Sequence, residues 1–238
     1  MDGLYERGRH DLGRRNRKHG VLRMLAAQRC LPPPASGPVS PFSLVQQNYA
    51  SGTTVALSGV STSNALILVI TSFSGGDTVS AVSGGGGTWA KAIGFSAINA
   101  GGNGTGEIWY NLTPTGGTTD VSVTFTTTAN SPSVTLAEFA GGVVGLDGTA
   151  TFNPASGGTS NYTDPVYAPT HANCLVVSVS GFQSLGAQAN WTAFSNWSSG
   201  SNAYNWAAYL LATGTSSVAP SGNAGGGGVA VAVVAFYP

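Results

Sequence analysis

Few side chains among the 238 residues offer chemistry, and they are scattered. A glycosidase needs two carboxylates across a cleft. Glu107 and Glu138 are the best placed, because both fall in runs that read as strands. Glu107 also precedes Trp109 and Tyr110, residue types that stack on sugar rings. On a strand, however, Glu107 and Trp109 share one face while Tyr110 takes the other. The three make no single patch, and a satisfied or rim carboxylate is the better reading of each glutamate. A serine hydrolase needs a histidine base beside its nucleophile. Beyond the first 41 residues the only histidine is His171, within Pro169-Thr170-His171-Ala172-Asn173. No Gly-x-Ser-x-Gly turn leads into a helix, so His171 reads as an exposed loop side chain.

The remaining motifs weigh against catalysis. Asp77, Asp120, Asp147 and Asp164 stand singly, not alternated as in a calcium loop. Gly84–Gly87 and Gly225–Gly228 are followed by neither Lys nor a helix, so they read as flexible strand connections, not phosphate loops. Cys30 and Cys174 have no partner at metal-ligand spacing and are too few for a disulfide scaffold; whether they pair is left open. No metal and no cofactor is expected. Sequons beginning at Asn103, Asn111, Asn161, Asn190 and Asn196 arise readily in a chain so rich in Asn, Ser and Thr. Of the five tryptophans, Trp89, Trp109, Trp191 and Trp206 fall at matching places in two halves of the chain and read as core or core-edge residues. Trp197, in the Gly/Ser/Asn-rich stretch Ser195 to Asn202, is the one candidate glycan platform.

Charge gives the clearest message. Eight of the nine basic residues lie in the first 30 positions, against three acids there; from residue 42 onward Lys91 is the only base, with six acids. Arg14, Arg15, Arg17 and Lys18 form the densest basic run, able to meet nucleic-acid phosphates or an acidic protein surface. Val21, Leu22 and Leu25 follow at helical spacing, predicting a short helix over about 20–30. A free tail has no use for that apolar face, which favours protein docking over nucleic acid. The run from Val21 to Arg29 is broken by arginines and lacks the continuous apolar core of a secretory signal. No 18-residue apolar stretch predicts a membrane helix.

The elements that must position these residues are strands. Residues 1–31 read as a basic arm. The stretch 32–41, with five prolines, reads as an extended spacer. From Phe42 to Pro238, short runs rich in Val, Thr, Ile and aromatics alternate with Gly, Ser, Asn and Asp clusters, the signature of an all-β domain. Strands are expected at 43–48, 53–58, 64–73, 78–83, 88–96, 106–112, 119–127, 132–140, 147–152, 173–182, 190–195, 203–212, 215–219 and 228–237. Two halves share an order of elements. Asn64–Val69 matches Asn173–Ser178; Thr88-Trp89-Ala90 matches Asn190-Trp191-Thr192; Ile108-Trp109-Tyr110 matches Asn205-Trp206-Ala207; and Leu136–Phe139 matches Val233–Phe236. Each half alone is marginal in size for a separate core, so one pseudo-duplicated β-sandwich is expected.

The succession Leu66–Val69, Gly87-Thr88-Trp89, Glu107–Tyr110, Thr119–Phe125, Ala137–Gly141, Leu175-Val176-Val177 and Ala232–Pro238 resembles a β-sandwich domain of tailed-phage structural proteins and bacterial surface proteins. The resemblance covers nearly all of 44–238 and excludes the arm. It implies a jelly-roll-like or immunoglobulin-like sandwich used for display, attachment or particle decoration, and transfers no catalytic residue. The expectation is a virion structural protein assembled in the host cytoplasm. On this reading it decorates the capsid, and its arm binds the major capsid or another virion protein, or neighbouring copies. A glycan-binding adhesion or tail-fibre module and a secreted hydrolase with a loop-built site are the alternatives.

Overall fold

The computed structural model describes residues 41–73, 76–99, 102–152, 161–162, 165–181, 190–195, 205–223 and 230–238. Residues Pro38–Pro238 form one unit. Its strands are β1 (Ser43–Ser51), β2 (Thr54–Val60), β3 (Ala65–Ser72), β4 (Val79–Gly84), β5 (Ala90–Asn99), β6 (Gly102–Asn111), β7 (Gly117–Phe125), β8 (Ser133–Ala140), β9 (Gly145–Phe152), β10 (Asn161–Tyr162), β11 (Cys174–Gly181), β12 (Thr192–Ala193), β13 (Asn205–Ala212), β14 (Gly222–Asn223) and β15 (Ala230–Tyr237). The described residues contain no helix. The expected arm, its helix, the proline spacer up to residue 40 and Trp197 lie outside the described residues. The expected strand at 215–219 is reduced to one bridge, Tyr167 to Val218.

The strands form three main antiparallel sheets. Sheet 1 has the order β1-β8-β3-β6-β5, sheet 2 β2-β7-β4, and sheet 3 β12-β13-β11-β15-β9, with β10 and β14 a separate pair. Sheets 1 and 3 share a core in which Ile67, Val69, Ile108 and Phe139 meet Val177, Tyr209, Val234 and Phe236. The other face of sheet 1 packs Leu66, Leu68 and Leu136 against Val55, Leu57 and Val121 of sheet 2. Sheet 1 is therefore the middle of three layers rather than one wall of a two-sheet sandwich. Its strand β3 is buried at every position, as is β11 in sheet 3, which is why both read as unbroken apolar runs rather than alternating ones.

Sheets 1 and 3 are equivalent. Replacing β1, β8, β3, β6 and β5 by β9, β15, β11, β13 and β12 turns one strand order into the other. The registers agree too. Ala65 faces Phe139 as Leu175 faces Phe236, and Leu66 faces Asn111 as Val176 faces Leu210. Ala90 faces Tyr110 as Thr192 faces Tyr209, and Leu44 faces Phe139 as Leu146 faces Phe236. Even the bulge recurs, with Val45 as the extra residue in β1 and Asp147 in β9. Across the shared core, Tyr110 meets Phe236 edge-on at 5.4 Å and 68°, and Tyr209 meets Phe139 at 5.2 Å and 76°. These two contacts exchange when the halves are exchanged, as a pseudo-twofold axis requires.

This register corrects two of the four matches read from sequence. Leu175, not Cys174, is the counterpart of Ala65, and Trp109 corresponds to Ala208, not Trp206. A strand buried on both faces is apolar throughout, so nothing in its sequence fixes which residue faces which core. The Trp89–Trp191 and Phe139–Phe236 matches agree with the register.

Candidate functional site

A concentrated group of polar side chains surrounds Asp147, which the sequence reading left as an isolated acid. The β9 bulge points it toward the segment entering β11, and its side chain is fully buried. Tyr167 donates its hydroxyl to Oδ2 at 2.5 Å, and the Thr170 backbone N–H donates to the same oxygen at 2.8 Å. Thr170 donates its hydroxyl to Oδ1 at 2.6 Å, and His171 approaches that oxygen through Nδ1. Burial alone would raise this carboxyl, but the donors, His171 first, outweigh it and hold Asp147 well below the usual carboxylate range. Burial and the hydrogen bond to Asp147 push the Tyr167 hydroxyl up.

His171 is an exposed loop side chain, as the sequence suggested, but it is held in place. Its ring is 53% exposed, stacked on Tyr237 at 4.3 Å and 14°, and oriented by a buried carboxylate. That is the geometry of a histidine base, with Nδ1 committed to the carboxylate. Among the described residues no nucleophile is shown hydrogen-bonded to Nε2. Cys174, three residues on, is buried and donates its Sγ to the His171 carbonyl at 3.2 Å. Burial and then the Asp147 charge push its thiol up to about 11, so the reactive thiolate is suppressed. Among the described residues the hydroxyl bonded to the ring is that of Thr170, on the Nδ1 side.

Glu138 does the same work in the first half. It accepts from Gln46 Nε2 at 2.5 Å, the Ser61 N–H at 2.8 Å and Asn64 Nδ2 at 2.7 Å. It thus ties the segment entering β3 to β1, as Asp147 ties the segment entering β11 to β9. The counterpart of Glu138 is Ala235 and that of Asp147 is Val45. The two halves therefore reach one structural solution with carboxylates on different strands.

Glu107 completes the set. It accepts from the Val79 N–H at 3.1 Å and from Trp109 Nε1 at 2.7 Å, and pairs with Lys91 at 2.8 Å. The shared face of Glu107 and Trp109 is thus as expected, but their purpose is mutual. Glu107 and Glu138 face Ile70 and Leu66 of β3, on the side packed against sheet 2. Four residues of strand separate them by about 13 Å along β3, beyond the spacing of roughly 5–9.5 Å that glycoside hydrolysis uses. Asp77 is likewise enclosed. Burial would raise it, and donors from Thr127, Ser72 and Asn130 more than offset that, lowering its pKa.

The other expected sites resolve similarly. Trp206 is buried, with Trp191 tilted against it at 6.1 Å. Trp89 donates to the Gly84 carbonyl at 2.8 Å. Asn111 is buried with its amide bonded to Gly86 and Thr113, which excludes its sequon from modification in the folded chain. No group of three or more metal-ligating side chains forms among the described residues, and no helix among them is long and apolar enough to cross a membrane. Arg14, Arg15, Arg17, Lys18, Val21, Leu22, Leu25 and Cys30 lie outside the described residues. No known family, curated protein or solved structure matches the chain.

Proposed function

We propose that the protein is a structural component of a tailed-phage particle, a capsid decoration protein of the jelly-roll-like or immunoglobulin-like kind that its sequence resembles. On this reading the β body is displayed on the particle surface and the basic arm anchors it to a shell protein. The observation that carries the reading is the segregation of charge. The arm holds eight of nine bases. In the body, Asp77, Glu107, Glu138 and Asp147 are turned inward and bonded. Asp120 is the one exposed carboxylate among the described residues, and Lys91 is engaged with Glu107. A surface built of Ser, Thr, Asn and Gly suits a displayed module, and a concentrated cationic arm suits attachment.

The test is deletion of residues 1–41. The truncated chain is expected to remain a soluble β protein and to stop co-purifying with particles. Undiminished particle binding without the arm would remove the anchor role.

A further inference from the structure

A sheet that does not close leaves edges, and an edge strand offers a row of backbone donors and acceptors to any strand that can reach it. The three main sheets end in β1 and β5, in β2 and β4, and in β12 and β9. Edges are ordinarily blunted by charge, by shortness or by cover. β12 has two residues, and β5 carries Lys91, held to Glu107. β1 and β2 are tied to one another, since Gln46 Nε2 donates to the Ser58 carbonyl and Asn48 Nδ2 to the Ala56 carbonyl, both at 2.9 Å. β4 presents no exposed large apolar side chain.

Beyond its bulge at Asp147, β9 has none of these devices. It is the counterpart of β1, yet the places of Gln46 and Asn48 are taken by Gly148 and Ala150, which carry no side-chain donor to grip a neighbour. Its eight residues include one charge, Asp147, and that carboxylate is fully buried among its own donors. Of the five large apolar side chains exposed on the described surface, three lie around this strand: Leu146 within it, Val144 at 65% just before it, and Val166 at 56%, next to Tyr167, whose hydroxyl reaches Asp147. The other two are elsewhere, Val45 on β1 and Phe73 after β3. Single exposed valines are ordinary, but three apolar side chains beside an uncharged edge are the composition of a strand that pairs.

We infer that β9 is a dimerisation edge whose occupant is β9 of a second copy of this chain, the two strands running antiparallel across a twofold axis so that sheet 3 of one copy continues into that of the other. Such an axis sets the same surface against itself, and like charges directly opposite one another on paired strands are destabilising. With Asp147 turned inward, β9 meets that condition. The one exposed carboxylate among the described residues, Asp120, is on β7 in sheet 2, across sheet 1 from sheet 3, so it does not oppose the approach. A foreign strand chosen by charge would find none on this edge to select it, whereas a second β9 brings the same free backbone row and the same apolar flank. The inference stands apart from the particle role proposed above.

The experiment is sedimentation of the full chain at concentrations up to on the order of 100 μM, where a dimer of micromolar affinity is populated. The parent is expected to dimerise. Thr149→Lys combined with Thr151→Lys puts charges on the edge and against their own copies, and is expected to weaken dimerisation about tenfold or more with circular dichroism unchanged, since both side chains are exposed. Val166→Lys, off the strand, is expected to weaken it in the same direction and serves if the double variant folds poorly. Val45→Lys, on the equivalent strand β1, is expected to sediment like the parent. A parent that stays monomeric throughout, variants at Thr149 and Thr151 or at Val166 that dimerise like the parent, or an equal loss from Val45→Lys, overturns the β9 edge. None of these outcomes bears on particle binding, so the anchoring reading stands or falls separately.

Discussion

At the scale of single residues, the buried carboxylates among the described residues hold loops in place. Among the described residues Asp147 takes its donors from the segment that enters β11, and each favours the ionised carboxylate. Near pH 3–4 the folded state therefore holds fewer protons than the unfolded chain. The stabilisation is complete above the ordinary Asp pKa of about 3.9 and is withdrawn as pH falls toward the lower folded value. Asp77 acts in the same direction. Asp147→Asn is expected to cost about 2–3 kcal/mol at neutral pH, because it leaves buried donors facing a weaker acceptor. Denaturant unfolding between pH 2.5 and 6 (on the order of the carboxylate range) should then show a shallower acid loss than the parent. An unchanged acid slope would mean that other carboxylates dominate it. The sequence revealed the residue types of this cluster but not its assembly, because Asp147 and His171 lie on separate strands and loops until the bulge in β9 aims one at the other.

At the scale of elements, the glycine tract between β4 and β5 departs most from its sequence reading as a flexible link. Gly84, Gly85, Gly86 and Gly87 have φ of 90°, 74°, 66° and 62°, four successive left-handed residues that side chains rarely adopt. A Cβ on Gly84 would stand 1.8 Å from the Asp120 carbonyl oxygen. The turn is thus specified by glycine rather than loosened by it, and it receives the Trp89 indole N–H at Gly84 and the Asn111 amide at Gly86. Gly84→Ala is expected to cost more than the roughly 1–2 kcal/mol of a left-handed alanine, since the backbone clash adds to it. A fall in denaturant midpoint at unchanged slope would register this, and a loss below about 0.5 kcal/mol would show that the turn can relax.

At the scale of the whole molecule, the pseudo-twofold arrangement sets expectations for cooperativity. Phe139 and Phe236 occupy equivalent places, each fully buried and each capped by the tyrosine of the opposite half. Replacing either by alanine is expected to cost about 3–5 kcal/mol, by similar amounts, and to leave one unfolding transition, because both substitutions damage the same shared core. Calorimetry resolving two transitions, or a loss confined to one of the two variants, would contradict a common core. By itself the sequence determined the all-β class, the positions of most strands, the order of the repeat, the structural role of four tryptophans and the division of charge between arm and body. Those properties are written in local pattern: residue type, turn chemistry and spacing along the chain. Only the tertiary structure decided the middle position of sheet 1, the register between the halves and the pairing of Asp147 with His171. Strands buried on both faces carry no alternation to specify partner or face, so which residues meet is settled by packing between distant segments and not by their own sequence.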